Sequence, residues 1–280
     1  MTEEKIVAIT GASNGMGYEA AKLFASKGWK VFAGARRVEK IPTDENITAL
    51  KLDVTDRASN HTFIDTILAA TEGKLQVLIN NAGYGEYGPA EEIPMAEIRR
   101  QFETNFFGAV ELTQLVLPTM RAQKYGRIVN ISSIGGDIYT PMGAYYHATK
   151  GALQQWSDAL DMEIKEFGVR SVIVQPGGTE SSWADIALSN AEKNAKENSA
   201  YLPLIAAVKG VFESVAGDGK GATSADLAKV FYTASTDAMP KRRYFNAFGD
   251  RMMVHVARVY PNMYRRIMDS MLKRALKKSK

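Results

Sequence analysis

The chain has 280 residues, 45% hydrophobic, 24% charged and none of them cysteine, the balance of a soluble globular protein without disulfides or thiolate chemistry. It lacks the roughly 18-residue apolar run of a membrane-spanning helix, and its opening MTEEKIVAIT sets acids before a short apolar run, unlike a secretory leader, so the expected location is the cytoplasm. The net charge of +4 is uneven: residues 251–280 hold nine Lys/Arg and one acid, or +8, which leaves −4 on the body and argues against a nucleic-acid partner.

Short β-branched runs alternate with longer helical patterns. KIVAIT (5–10) leads through a glycine turn to the helix YEAAKLFASKG, and KVFAGA (30–35) follows. ITALKLD (47–53) precedes a helix from about Asp56 to Thr71, and LQVLIN (75–80) one long helix from about Pro94 to Gln123. GRIVNIS (126–132) precedes a further helix, after which comes RSVIVQP (170–176). Near-continuous apolar strands alternating with helices predict an α/β fold: a single doubly wound Rossmann domain, its parallel sheet covered on both faces. Such sheets bind ligands at the carboxyl ends of their strands, so the residues just after each strand are the informative ones.

After the first strand stands TGASNGMG, residues 10–17, with Gly11, Gly15 and Gly17 spaced G-x-x-x-G-x-G before a helix. Glycines allow a tight turn and close backbone approach to a pyrophosphate, and the helix N-terminus offers N–H groups to it. NAD-binding folds place an acid at the end of the second strand; here Arg36 and Arg37 stand there, which suits the 2′-phosphate of NADP. Later strands end in Asp53-Val54, in NNAG (80–83), in Ser132-Ser133 and in Pro176-Gly177. In AYYHATK (144–150), helical geometry offsets Tyr146 from Lys150 by only about 40° and Tyr145 by about 140°. Tyr146 and Lys150 are therefore the pair, and a nearby ammonium should lower the phenol's pKa. His61, His147 and His255 are isolated, so no metal is expected and each reads as a surface or packing residue.

Together TGASNGMG, Asp53-Val54, NNAG, Asn105, Ser133, Tyr146-x-x-x-Lys150 and PGG resemble the short-chain dehydrogenase/reductase family over residues 5 to about 180, in its hydroxysteroid and retinol dehydrogenase-like branch. The resemblance implies an NADP(H)-dependent enzyme that interconverts a carbonyl and an alcohol. By it, Tyr146 exchanges the proton, Lys150 tunes Tyr146 and binds the nicotinamide ribose, Ser133 rather than Ser132 holds the substrate oxygen, and Asn105 holds a relay water. It also assigns the turn residues Gly11, Ser13, Asn14, Gly15, Met16 and Gly17 to the cofactor. Asp53 and Val54 fall to the adenine, Asn81, Ala82 and Gly83 to the adenosine ribose, and Pro176 and Gly177 to the nicotinamide. Thr179 and Ser181 compete for the carboxamide. Residues 1–178 would form the core and 179–222 a substrate lid. Trp183, Ile186, Leu188, Leu202, Leu204 and Ile205 are candidate walls of an apolar pocket, with Tyr139, Met142, Tyr145 and Tyr84 to Tyr87 nearby. An apolar steroid- or retinoid-like substrate follows by analogy, with 3-oxoacyl thioester reduction or a non-catalytic NADP sensor or scaffold as alternatives. The family is usually a homodimer or homotetramer.

From Tyr264 apolar residues recur at 267, 268, 271, 272, 275 and 276, an amphipathic helix within the basic extension 251–280. Two readings stand: a helix packed on the domain or on a subunit interface, or one lying on a membrane surface.

Overall fold

The apolar runs line up as one parallel seven-stranded sheet in a computed structural model that describes residues 4–180, 182–216 and 221–278. The first half comprises β1 (Ile6–Thr10), α1 (Gly15–Ser26), β2 (Lys30–Ala35), β3 (Ile47–Lys51), α2 (Arg57–Ala70), β4 (Val77–Asn80), α3 (Met95–Phe102) and α4 (Gly108–Ala122). Then follow β5 (Gly126–Ile131), α5 (Ala144–Ile164), β6 (Val169–Gln175), β7 (Thr179–Glu180), α6 (Ser182–Asn194), α7 (Leu202–Ala216), β8 (Ala222–Thr223), α8 (Ser224–Thr236), β9 (Arg243–Phe245), α9 (Phe248–Val259) and α10 (Pro261–Lys278). The sheet order is β3-β2-β1-β4-β5-β6-β9, so the winding reverses between β1 and β4.

Alternation explains the unbroken apolar strands. Val7 and Ile9 of β1, Val77 and Ile79 of β4, and Val129 of β5 enter one core cluster with α1 and α8. Ile6, Ala8, Leu78 and Ile128, the residues between or beside them, enter the cluster on the other face with α2, α4 and α5. A polar seam fixes the register at the middle of the sheet. Asn80 donates to Asn130 Oδ1 (2.9 Å), its β4–β5 partner, and Asn130 donates to Ser157 (3.0 Å) and Ser171 (3.2 Å).

The helix expected from Pro94 to Gln123 runs unbroken over 95–122, but it is not α-helical throughout. A π-helical turn, Glu103–Phe107, separates α3 from α4, and Asn105 sits in it. Its buried amide bonds Tyr84 and Thr149, and the extra residue per turn aims it inward. The seventh strand, β9, was not expected. Only three residues long, it pairs with β6 and is tied to α5 by Arg243, whose Nη1 and Nη2 donate to Asp158 at 2.9 and 2.8 Å. The segment 179–222 is pinned at both ends by pairing of β7 with β8, Thr179↔Ala222 and Glu180↔Thr223. Thr223 and Asp226 then close a capping box at the start of α8.

Candidate active site

Tyr146 and Lys150 lie one turn apart on α5, both buried, with Lys150 Nζ 5.9 Å from the phenol ring centroid. Tyr145 points away and donates to the Ala90 carbonyl at 2.9 Å. Lys150 Nζ donates to the Ile131 carbonyl at the end of β5 (2.9 Å), and burial drives its pKa down to about 8. Burial also pushes the Tyr146 phenol up to about 12, against the lowering effect of a hydrogen bond with Ser133. This corrects the expectation of a depressed tyrosine. Desolvation penalises both charged forms, and in the protein alone it outweighs any help the ammonium gives the phenolate.

Ser133 stands at the end of β5. Its Oγ accepts from Gly135 N (3.0 Å), bonds the Pro176 carbonyl (3.4 Å) and reaches Tyr146. Ser132 instead donates to the Lys150 carbonyl (3.1 Å). Two buried amides hold the Ser133 carbonyl: Gln154 Nε2 at 2.9 Å and Gln175 Nε2 at 3.3 Å. Gln175 also donates to Asp137, and Asp137 is ion-paired to Arg258 of α9. A Cβ on Gly177 would collide with the Asp250 carboxylate, so α9 also backs the loop after β6. Gln154, Gln175, Asp137, Asp250 and Arg258 had no sequence signal; Arg258 meets Asp137 across 121 residues. His147 is a packing residue here: Nδ1 bonds the Gly135 carbonyl (2.8 Å) and Nε2 accepts from Thr140 N (3.0 Å).

At the switch point, Gly11 and Gly15 take left-handed backbone (φ +69° and +57°), and Asn14 caps α1 by accepting from Gly15 N at 2.8 Å. A Cβ on Gly17 would lie 2.5 Å from Gly11 O and from Asn81 Nδ2, so only glycine fits there. Thr10, which had not stood out, ties this turn to NNAG: its Oγ1 accepts from Asn81 N (3.0 Å) and Ala82 N (2.9 Å). The Asn81 side chain donates back to Thr10 O (2.9 Å) and Gly11 O (3.2 Å), which braces the turn. The Gly83 backbone lies against Asn105 Oδ1 and Lys150 Nζ.

Arg36 and Arg37 are exposed at the end of β2. Burial alone would raise Asp53, but hydrogen bonds from Thr55 and the charges of Arg36 and Arg100 hold its carboxyl below the usual range. Val54 is largely a core residue, packed against Gly108 of α4. Ser13, Met16 and Gly177 are half-buried and Pro176 is buried, all beside the carboxyl ends of β1 and β6. The left-handed turn, the glycine contact at α1, and the Asp53 carboxylate beside cationic Arg36 fit a bound dinucleotide.

An apolar cluster covers Tyr146. Tyr87 (ring centroids 5.7 Å apart), Met142, Ala187, Ala191, Ile205 and Val208 form it, and Leu204, Phe212 and Leu272 pack against it. Met142 is held at φ +68°, a strained conformation for a non-glycine residue. Of the expected walls, Ile205 and Leu204 belong to the cluster, whereas Ile186 and Leu202 are about half exposed. The helical pattern did not reveal that α6 would turn Ala187 and Ala191 inward instead. Tyr139 is half exposed. Thr179 starts β7, while Ser181 and the Trp183 side chain lie outside the described residues.

A buried tyrosine and lysine with a half-buried serine, at the carboxyl end of a parallel sheet and beside a glycine turn, define a dinucleotide-dependent oxidoreductase site. The short chain dehydrogenase family pattern matches residues 5–192. A probable short-chain type dehydrogenase/reductase, VdlC of Helicobacter pylori, is 31% identical over 259 residues, 91% of this chain and 93% of that one. The 3-ketodihydrosphingosine reductase of Bacteroides thetaiotaomicron is 37% identical over 186 residues, 65% and 67% of the two chains. Among solved structures, the closed form of a serine dehydrogenase complexed with NADP+ superposes with a TM-score of 0.74 at 25% identity, covering 86% of this chain and 93% of that one. The chain belongs to the short-chain dehydrogenase/reductase family: it is an oxidoreductase of Rossmann fold that uses a nicotinamide dinucleotide.

Proposed function

We propose that the chain is an NADP(H)-dependent carbonyl reductase, reversible as an alcohol dehydrogenase, acting on an apolar ketone or aldehyde. The observation that carries this reading is the buried Tyr146 and Lys150 pair with half-buried Ser133, facing an apolar cluster of Tyr87, Met142, Ile205 and Val208. The 3-ketodihydrosphingosine reductase relative, by its name a reductase of a lipid ketone, supports the same substrate class.

In this reading the turn Gly11–Gly17, with Ser13, Asn14, Gly15 and Met16, holds the pyrophosphate. Arg36 and Arg37 hold the 2′-phosphate, while Asp53, Ala82 and Gly83 serve the adenosine. Lys150, Pro176, Gly177 and Thr179 flank the nicotinamide. When bound, the dinucleotide supplies or accepts hydride at the carbonyl carbon. Ser133 and Tyr146 hydrogen-bond the substrate oxygen and orient it. A phenol held near 12 keeps its proton at neutral pH, so Tyr146 is an acid in the reductive direction and gives that proton to the developing alkoxide. Lys150 sits where its charge can stabilise the phenolate left behind, and Asn105 anchors the Tyr84 backbone beside it.

The test is consumption of NADPH against a panel of ketones, sterols, aldehydes and acyl thioesters. Tyr146→Phe should lower turnover at least about a hundred-fold while cofactor still binds, and Tyr145→Phe should leave it nearly intact. Retained activity in the Tyr146 variant, with loss in the Tyr145 variant, sinks the assignment.

A further inference from the structure

Seventeen large hydrophobic side chains are exposed among the described residues, and eight of them fall between residues 248 and 271. The same end of the chain carries the +8 charge. Isolated exposed hydrophobics need no explanation, but half of them gathered in one short basic segment does.

α10 has two apolar faces. On one, Tyr264 is 4% exposed and donates to the Tyr139 carbonyl at 2.7 Å, and Leu272 packs on the cluster that holds Tyr146. The other is a stripe of Met263, Ile267 and Met271, each one turn from the next and 45%, 47% and 39% exposed. By helical geometry Arg266, Lys273 and Lys277 follow on the side away from Tyr264, and all three are exposed. α9 adds Phe248, Met252 and Val259, which also share one exposed face.

We propose that this exposed stripe of α10 docks on an anionic lipid bilayer. Met263, Ile267 and Met271 enter the acyl boundary, and the flanking cations meet the headgroups. No described helix is long and apolar enough to cross a membrane, so the contact lies in the interface plane. A second copy of this chain is the poorer occupant, because it would bring a second +8 segment against the first. A polyanion without an apolar phase would satisfy the cations but leave the Met/Ile stripe in water. The adjoining side of α10, with Tyr264 and Leu272, covers the cluster beside Tyr146, which gives a substrate dissolved in the bilayer a short route to the site. That route rests on the apolar-carbonyl reading above; the docking does not.

Full-length protein is sedimented with vesicles of phosphatidylcholine alone and of phosphatidylcholine mixed with phosphatidylglycerol. Binding is expected to the anionic vesicles, weakening as salt rises. The double variant Met263→Glu/Ile267→Glu should bind them at least about ten-fold more weakly, with unchanged NADPH affinity and circular dichroism. Absence of wild-type binding to anionic vesicles at low salt overturns the proposal. So does full retention of binding by the double variant, which would reduce the contact to charge alone. Self-association that this variant abolishes, without any vesicle binding, would assign the face to a second copy instead. Sedimentation is independent of turnover, so failure of the docking and failure of the substrate reading are told apart.

Discussion

At the scale of single residues, charge sets two testable expectations, one for cofactor affinity and one for the pH dependence of stability. Arg36 and Arg37 are exposed at the end of β2, and the field of Arg36 reaches Asp53. A charge-assisted contact to a 2′-phosphate is worth about 1.5–3 kcal/mol, so NADPH should bind roughly ten- to a hundred-fold more tightly than NADH. Arg36→Ala should erase most of that ratio. Titration of both cofactors against both proteins checks it, and equal wild-type affinities would reduce the arginines to a solvated turn. His147 carries a pH dependence of stability. Burial holds its pKa below 6.5 despite the Gly135 carbonyl, so the folded state keeps it neutral. Between the folded value and 6.5 the unfolded chain binds more protons, and stability is therefore lost as pH falls through that window. Melting temperature should drop more steeply between about pH 7 and about pH 5 in the wild type than in His147→Gln.

Between elements, α9 and the loop after β5 form one unit through the Asp137–Arg258 ion pair. Asp137 is almost wholly buried and Arg258 is partly exposed. Beyond Asp137 stands Gln175, which with Gln154 grips the Ser133 carbonyl. Arg258→Met would strand a buried carboxylate, at a cost of about 1–3 kcal/mol once the exposure of Arg258 is allowed for. Displacement of Ser133 should then lower kcat about ten-fold, well within what a small misplacement can do. The double variant Arg258→Met/Asp137→Asn removes the orphan charge and should recover much of the stability. Urea unfolding and steady-state kinetics on the three proteins measure both effects. A kcat unchanged in Arg258→Met would confine the pair to a structural role.

For the molecule as a whole, the basic extension is a working part of the fold rather than an appendage. Tyr264 of α10 is buried against Tyr139, with ring centroids 5.1 Å apart, and α10 lies along α7 of the segment expected to be the lid. A chain ending at Asn262 loses this cover, and one buried tyrosine alone is worth about 1.5–3 kcal/mol. The truncated protein should melt at lower temperature and be cut more readily within 179–222. Its NADPH affinity should change little, because the glycine turn and Arg36 lie on β1 and β2 at the far side of the switch point. Calorimetry, limited proteolysis and cofactor titration test the three parts separately.

What could be read from the chain alone was whatever repeats at short range. Strand runs buried on both faces, the glycine turn before α1, and the four-residue step from Tyr146 to Lys150 are set by backbone geometry within a few residues, and the fold and the Tyr146–Lys150 pair followed from them, whereas Asn105 and Ser133 came from the family resemblance. Tertiary structure decided whatever depends on which distant surfaces meet. β9 is anchored to α5 by Arg243 and Asp158; the Asn81 side chain turns into the glycine loop, and its backbone bonds Thr10; Ala187 and Ala191, not Ile186, pack in the cluster with Tyr146. The direction of the Tyr146 pKa belongs to the same group. Spacing brings an ammonium near the phenol, but only the packed structure excludes water from both, and that desolvation outweighs the attraction the spacing suggests.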